Sequence, residues 1–114
     1  MIRVGEVKDL PPSLQDFIEK YPKVWESYNT LGEACVKAGP LEAKYVELIK
    51  IAIYATKGMF TPLKTHVRWA LKFGATSQEI YHAILQLLTA DGISQVSMAM
   101  KWANEVISDE AKKG

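Results

Sequence analysis

The chain has 114 residues, 48% of them hydrophobic, and a formal net charge of +1. This length fits one domain that can bury a core without disulfides or metal, and the near-neutral balance without a basic tail argues against nucleic acid as a partner. One cysteine cannot form an internal disulfide, the N-terminal residues lack a signal-peptide core, and the longest apolar segment, residues 48–55, is too short to span a bilayer. We therefore expect a cytoplasmic protein with no membrane segment.

The sequence predicts an extended arm over residues 1–12, followed by a single all-α domain over residues 13–110. Ser13 is a candidate N-cap for a first short helix, which Pro22 ends while starting the second. Apolar residues then recur with a 3.6-residue period until Gly39-Pro40 stops them. Cys35 lies in this stripe, where it is either a small buried apolar residue or a reactive thiol.

The middle of the chain predicts a central helical hairpin. A third helix starting near Leu41 is apolar over most of its circumference, so it needs cover on several sides. Gly58 provides the turn at its end. Thr61-Pro62 then combines a capping hydroxyl with a proline at the first helical position, and predicts a helix that ends at Phe73.

Two further helices complete the predicted fold. Thr76 and Glu79 have the spacing of a capping box, and the helix behind it continues to the break at Asp91-Gly92. In the last helix the apolar residues are spaced three, four, three and four apart: Ile93, Val96, Met100, Ala103 and Ile107. No segment alternates as a strand does, so we predict an all-α fold of five to six helices. Two helices are apolar on more than one face, which predicts a homo-oligomer.

The hairpin also carries an uneven distribution of charge. No acidic residue occurs between Glu47 and Glu79, whereas six basic or titratable nitrogen side chains fall in that interval: Lys50, Lys57, Lys64, His66, Arg68 and Lys72. A cationic stretch of this kind in a near-neutral chain favours a small anionic ligand such as a substrate carboxylate.

Glu47 and His66 are the candidate catalytic residues. Glu47 lies between Lys44 and Lys50 at helical spacing, so it is either part of a surface row of ion pairs or a general acid or base beside an apolar pocket. His66 lies beside the apolar stripe of its helix, either as a hydrogen-bonded core residue or as a catalyst. In an ideal hairpin the two would be offset by several ångströms, so the sequence does not predict their contact.

Lys64 and Arg68 are the candidate substrate-binding residues. Lys64 is predicted in the first turn of its helix, where the helix dipole disfavours cations and favours anions. It is either an exposed lysine or an anion contact. Arg68 points about 200° away from His66 on the same helix, which makes it the weaker candidate. One cysteine and two histidines show no metal-ligand spacing, and no phosphate-binding loop is present.

Residues 23–107 contain a characteristic order of features. It includes GPLEAKYVELIKIAIYA, a turn, THVRWALKFGATSQEIYHAI, an Asp-Gly break and an amphipathic last helix. This order resembles the carboxymuconolactone decarboxylase family, which includes the AhpD-like alkylhydroperoxidases. The AhpD-like branch has a Glu, a Cys-x-x-Cys pair and a His at fixed spacing. The Glu falls on Glu47 and the His on His66, but the cysteines fall on Met59 and Pro62. Without the two thiols, peroxidase activity is not expected.

The resemblance to the cysteine-free branch implies removal of CO2 from 4-carboxymuconolactone without a cofactor. In that reading His66 transfers a proton, Glu47 orients it, and Lys64 or Arg68 contacts the anionic substrate. The resemblance also implies a trimer or hexamer. Two alternatives stay open: an AhpD-like redox protein that uses Cys35, and a non-catalytic oligomeric protein that binds a small ligand.

Overall fold

A computed structural model describes residues 10–113. This range contains no strand, which confirms the all-α prediction. It forms six helices of nine residues or more and one single-turn helix: α1 (Pro12–Lys20), α2 (Pro22–Lys37), α3 (Ala43–Lys57), α4 (Phe60–Lys72), α5 (Ser77–Leu85), α6 (Leu88–Asp91) and α7 (Ile93–Lys113). None of the helices in the described range is both long and apolar enough to cross a membrane.

The backbone divides into two compact units, with the boundary after Leu41. In the first, α1 contacts α2, and the ring pairs Phe17–Tyr21 and Trp25–Tyr28 have centroids 5.5 Å and 5.7 Å apart. Cys35 is exposed, so the interpretation of it as a buried apolar residue is wrong. Most of the predicted N-terminal arm, residues 1–9, lies outside the described residues, and the single domain over 13–110 stays a prediction.

The second unit contains the main core. In it α4 packs against α3 and α7, and α5 packs against α3 and α7. Gly58 adopts a left-handed conformation, with φ of 68°, and joins α3 to α4 as the predicted hairpin. The core side chains come from all four long helices of this unit and the turns between them: Ile51, Ala55, Leu63, Val67, Ala70, Ala75, Ile80, Ile84, Leu87, Val96, Ala99, Ala103 and Val106.

Two predicted helix starts differ from the observed ones. Helix α1 begins at Pro12 with Pro11 as its N-cap, so Ser13 is not the cap. Helix α4 begins at Phe60 with Met59 as its N-cap, which places Pro62 inside the first turn. Proline is tolerated there because the first backbone N–H groups of a helix have no partner within it. The predicted capping box of Thr76 and Glu79 is confirmed at the start of α5.

The buried face of α7 is rotated from the predicted one. Its buried residues are Val96, Ala99, Ala103 and Val106, whereas Ile93 is 66% exposed. Two alanines on this face, Ala99 and Ala103, allow α7 to approach α4 and α5 closely. The prediction included Ala103 but missed Ala99. The helix predicted to reach Asp91 is also interrupted after Leu85, where Leu87 turns into the core.

Candidate functional site

Glu47 and His66 are in direct contact inside the second unit. Nδ1 of His66 lies 2.6 Å from Oε1 of Glu47. The exposed fraction is 1% for Glu47 and 6% for His66. The reading of Glu47 as part of a surface row of ion pairs is therefore wrong, and the two residues form a buried carboxylate–imidazole pair.

Glu47 and His66 meet because each lies on the buried face of its helix in the hairpin of α3 and α4. On α3 the buried residues are spaced four apart, at Glu47, Ile51 and Ala55. On α4 His66 lies between Leu63 and Ala70 in the buried stripe. Because both stripes face each other across the hairpin, the acid and the imidazole meet among apolar side chains.

The pair leaves one nitrogen of the imidazole available. An ionised carboxylate only accepts hydrogen bonds, so the form of His66 that suits this contact carries a proton on Nδ1 and donates a hydrogen bond to Oε1 of Glu47. Nε2 of His66 and Oε2 of Glu47 have no hydrogen-bond partner among residues 10–113. Among residues 10–113, Oδ1 of Asn29 is the only fully buried side-chain nitrogen or oxygen atom that lacks a hydrogen-bond partner. Nε2 and Oε2 therefore retain hydrogen-bonding capacity for a small molecule.

Two aromatic side chains enclose the imidazole. The ring of Tyr54 stacks on His66, with centroids 5.2 Å apart and an interplanar angle of 26°. Trp69 meets it edge-on, with centroids 4.9 Å apart and an angle of 78°. The sequence prediction missed this role. Helical spacing carried the signal, because Tyr54 lies two turns after Glu47 on α3 and Trp69 lies one turn after His66 on α4.

Lys44 contacts α5 and not Glu47. Its Nζ lies 3.1 Å from Oε2 of Glu79, whose Oε1 accepts a hydrogen bond from the backbone N–H of Thr76. That backbone bond and the Lys44 ammonium hold the pKa of Glu79 below its usual value. The hydrogen bond with Glu79 raises the pKa of Lys44. These two residues are thus part of the helix scaffold around the site.

Lys64 also has a protein partner. The sequence predicted Lys64 in the first turn of its helix. Because α4 begins at Phe60, Lys64 lies in the second turn instead. Its Nζ lies 2.5 Å from Oε1 of Glu105 on α7 and 5.5 Å from the ring centroid of Phe60. The hydrogen bond from Lys64 lowers the pKa of Glu105. The charge of Lys64 is therefore already matched within the chain.

Two other cations of the acid-free stretch, Lys50 and Arg68, differ from Lys64 in their contacts. Lys50 and Arg68 are half-buried and make no ion pair or hydrogen bond within the described part of the chain. Arg68 and Lys64 are each two residues from His66, so both lie about 200° from it around α4. Lys50 is one turn after Glu47, on the same side of α3. Lys50 is thus the unpaired cation whose helical position is closest to the pair.

The positions that hold two cysteines in the AhpD-like pattern are at the start of α4. Met59 is the N-cap and is largely exposed, and Pro62 is in the first turn. Neither side chain is a thiol, and neither forms a disulfide. Across residues 10–113, no group of three or more His, Cys, Asp or Glu side chains is arranged to hold a metal ion.

Comparison with known protein families covers most of the chain. The sequence profile described as the carboxymuconolactone decarboxylase family matches residues 22–105. The match includes the second helix of the first unit and almost all of the second unit, with both Glu47 and His66. No curated protein matches the chain.

Proposed function

Because the chain belongs to the carboxymuconolactone decarboxylase family, we propose that it is a carboxy-lyase that acts without a cofactor on a small carboxylated lactone or a related anion. The observation that supports this proposal is the buried contact between Glu47 and His66, which leaves Nε2 open. A positioned imidazole with one free nitrogen is suited to proton transfer.

The proposed reaction is the loss of CO2 from 4-carboxymuconolactone. The bond from the ring carbon to the carboxylate breaks, CO2 leaves, and the electron pair moves toward the lactone carbonyl. The imidazolium form of His66 then gives its Nε2 proton to the ring carbon next to the lactone carbonyl. The carbonyl re-forms and a ring double bond remains at the carbon that lost CO2, so the product is the enol-lactone. His66 is left neutral and takes its next proton from solvent, so atoms and charges balance.

Glu47 has the orienting role in this proposal. Its carboxylate keeps the Nδ1–H bond before and after the transfer, so it fixes which nitrogen faces the substrate. The same carboxylate stabilises the positive imidazolium in a site with little water. Glu47 therefore acts through His66 and does not itself exchange a proton with the substrate.

The substrate carboxylate and the developing oxyanion require positive charge. The acid-free stretch supplies it, and we propose Lys50 as the cation on the same side of α3 as Glu47. Lys64 and Arg68, the cations predicted from sequence, point away from His66 on α4. In this proposal either of them reaches a substrate only at the site of a neighbouring subunit.

A thiol peroxidase is the disfavoured alternative. Such an enzyme needs one thiolate to attack the peroxide and a second thiol to form the disulfide. Met59 and Pro62 occupy the positions of the two cysteines in the AhpD-like pattern. The one cysteine of the chain, Cys35, belongs to the first unit. No observation favours a route from Cys35 to a disulfide within one chain.

The test is to incubate the purified protein with 4-carboxymuconolactone and to follow CO2 release together with the enol-lactone product. The parent should turn the substrate over, and His66→Gln should lower kcat by about 10²-fold to 10⁴-fold. Glutamine retains an N–H that can bond to Glu47 but cannot transfer a proton at neutral pH. His82→Gln, which changes the exposed histidine of α5, is the matched control and should retain the activity of the parent.

Two results would contradict the proposal. One is a parent protein with no turnover of this substrate or of related carboxylated lactones. The other is a folded His66→Gln variant, as judged by circular dichroism and thermal unfolding, that is as active as the parent. The first result would leave a small-molecule-binding protein as the function to test, through the small anions that raise its melting temperature.

A further inference from the structure

The imidazole of His66 is held by more than its hydrogen bond. Glu47 contacts one atom of the ring, Nδ1, at 2.6 Å. Tyr54 covers a face of the ring, and Trp69 contacts it edge-on. Together these three side chains contact the imidazole at Nδ1, on one face and in a T-shaped arrangement.

The two aromatic contacts restrict a motion that the hydrogen bond permits. A single hydrogen bond at Nδ1 leaves the imidazole free to tilt about the line that joins Nδ1 to Oε1. A stacked ring at 5.2 Å resists this tilt, because tilting would either separate the stack or force the two rings into contact. Trp69 is 4% exposed and packed in the core, so it resists tilt with little freedom of its own.

We propose that Tyr54 is a positioning residue, whose ring holds the plane of His66 so that Nε2 points in one direction for proton transfer. The catalytic part of this proposal rests on the function proposed above. Errors of about 1 Å in the placement of a reacting group reduce rates by about 10²-fold, so a tilted imidazole would transfer its proton poorly even with Glu47 in place. In this proposal the aromatic ring of Tyr54, and not its hydroxyl, holds the imidazole in place.

The position of Tyr54 in α3 suits this role. It lies seven residues after Glu47, so the hydrogen-bonding and stacking groups come from the same side of one helix, two turns apart. One rigid element therefore sets both the anchored atom and the plane of the imidazole. A loop could not hold the two groups in so fixed a relation.

The test compares Tyr54→Leu with Tyr54→Phe. The first removes the stacked ring and the second keeps it. A matched control is Tyr28→Leu, which removes an exposed tyrosine of the first unit. Two readouts are recorded for each folded variant: nitrogen–proton correlation spectra of the His66 ring, and kcat and KM with 4-carboxymuconolactone.

For Tyr54→Leu we expect the ring protons of His66 to lose the upfield shift that a stacked aromatic ring causes. We also expect kcat to fall at least about tenfold, with a smaller change in KM. Tyr54→Phe and Tyr28→Leu should resemble the parent in both readouts.

Two outcomes would overturn the positioning role. In one, Tyr54→Leu leaves the His66 resonances and kcat at their parent values. In the other, Tyr54→Phe loses as much as Tyr54→Leu, which would assign the effect to the hydroxyl. If the parent does not turn the lactone over, the spectra alone decide whether Tyr54 fixes the imidazole, so failure of the proposed function is distinguished from failure of the positioning role.

Discussion

At the scale of single residues, the central feature is a carboxylate and an imidazole buried together. Moving a carboxylate and an imidazole out of water is unfavourable, and their mutual hydrogen bond offsets this only while both partners are present. Glu47 and His66 are nearly inaccessible to water, at 1% and 6% exposure. Removing both should therefore cost less than the sum of the two single removals.

A double-mutant cycle measures this coupling. We expect Glu47→Ala or His66→Ala alone to lower the free energy of unfolding by about 3 kcal/mol, because each leaves a buried polar partner unpaired. The double variant should lose less than the sum of the two single losses, and urea unfolding at pH 7 gives all three values. Additive losses would contradict the coupling.

Lys50 provides a second prediction at this scale. If its ammonium contacts the carboxylate of the substrate, Lys50→Gln should raise KM for the lactone by about tenfold, the loss expected for one charge-assisted hydrogen bond. Lys57→Gln removes a cation at the exposed end of the same helix and is the matched control. Equal effects of the two substitutions would indicate only a general loss of positive charge.

At the scale of helices, the start of α5 is connected to α3 through one glutamate. Glu79 closes the capping box with Thr76, and it also pairs with Lys44 near the start of α3. Both interactions are stronger when the carboxylate is ionised. Through these two interactions Glu79 holds α5 against α3, the helix that carries Glu47.

The lowered pKa of Glu79 predicts how this connection depends on pH. A carboxyl whose pKa is lower in the folded state stabilises the fold above its unfolded pKa, and this stabilisation is lost as the pH falls through the folded value. Glu79→Gln should therefore be less stable than the parent at pH 7, and the difference should shrink below about pH 4. Urea unfolding at pH 7 and pH 3 measures it. Glu33→Gln, in α2 and without an ion pair to Lys44, is the control, and a difference independent of pH would contradict the role of the charge.

At the scale of the whole molecule, large apolar side chains remain exposed. Along α3 they are spaced four apart, at Tyr45, Ile49 and Ile53, each about 40% to 47% exposed. Others lie on the second unit outside α3: Met59, Phe60, Leu85, Leu88, Ile93 and Met98. This distribution agrees with the apolar surplus from which the sequence predicted a homo-oligomer.

Self-association is a prediction that a mass measurement can check. We expect the protein to elute as a trimer or hexamer in size-exclusion chromatography with light scattering at micromolar concentration. Ile49→Lys should shift the mass toward that of one chain if the α3 stripe is buried between subunits, because a buried unpaired charge is unfavourable. Ser97→Lys, at an exposed polar position of α7, should leave the mass unchanged. A parent that stays a single chain at all concentrations would contradict the prediction.

The sequence by itself determined the helical class, the hairpin at Gly58, the capping box of α5 and the two candidate residues Glu47 and His66. These features depend on local signals: a 3.6-residue period, turn glycines and capping residues act within about one or two helical turns. The tertiary structure alone decided that Glu47 is buried against His66, that Lys44 and Lys64 are paired with Glu79 and Glu105, and that Tyr54 and Trp69 enclose the imidazole. Each of these contacts joins side chains from different helices or selects one face of a helix, and local spacing leaves the rotation and offset of packed helices undetermined.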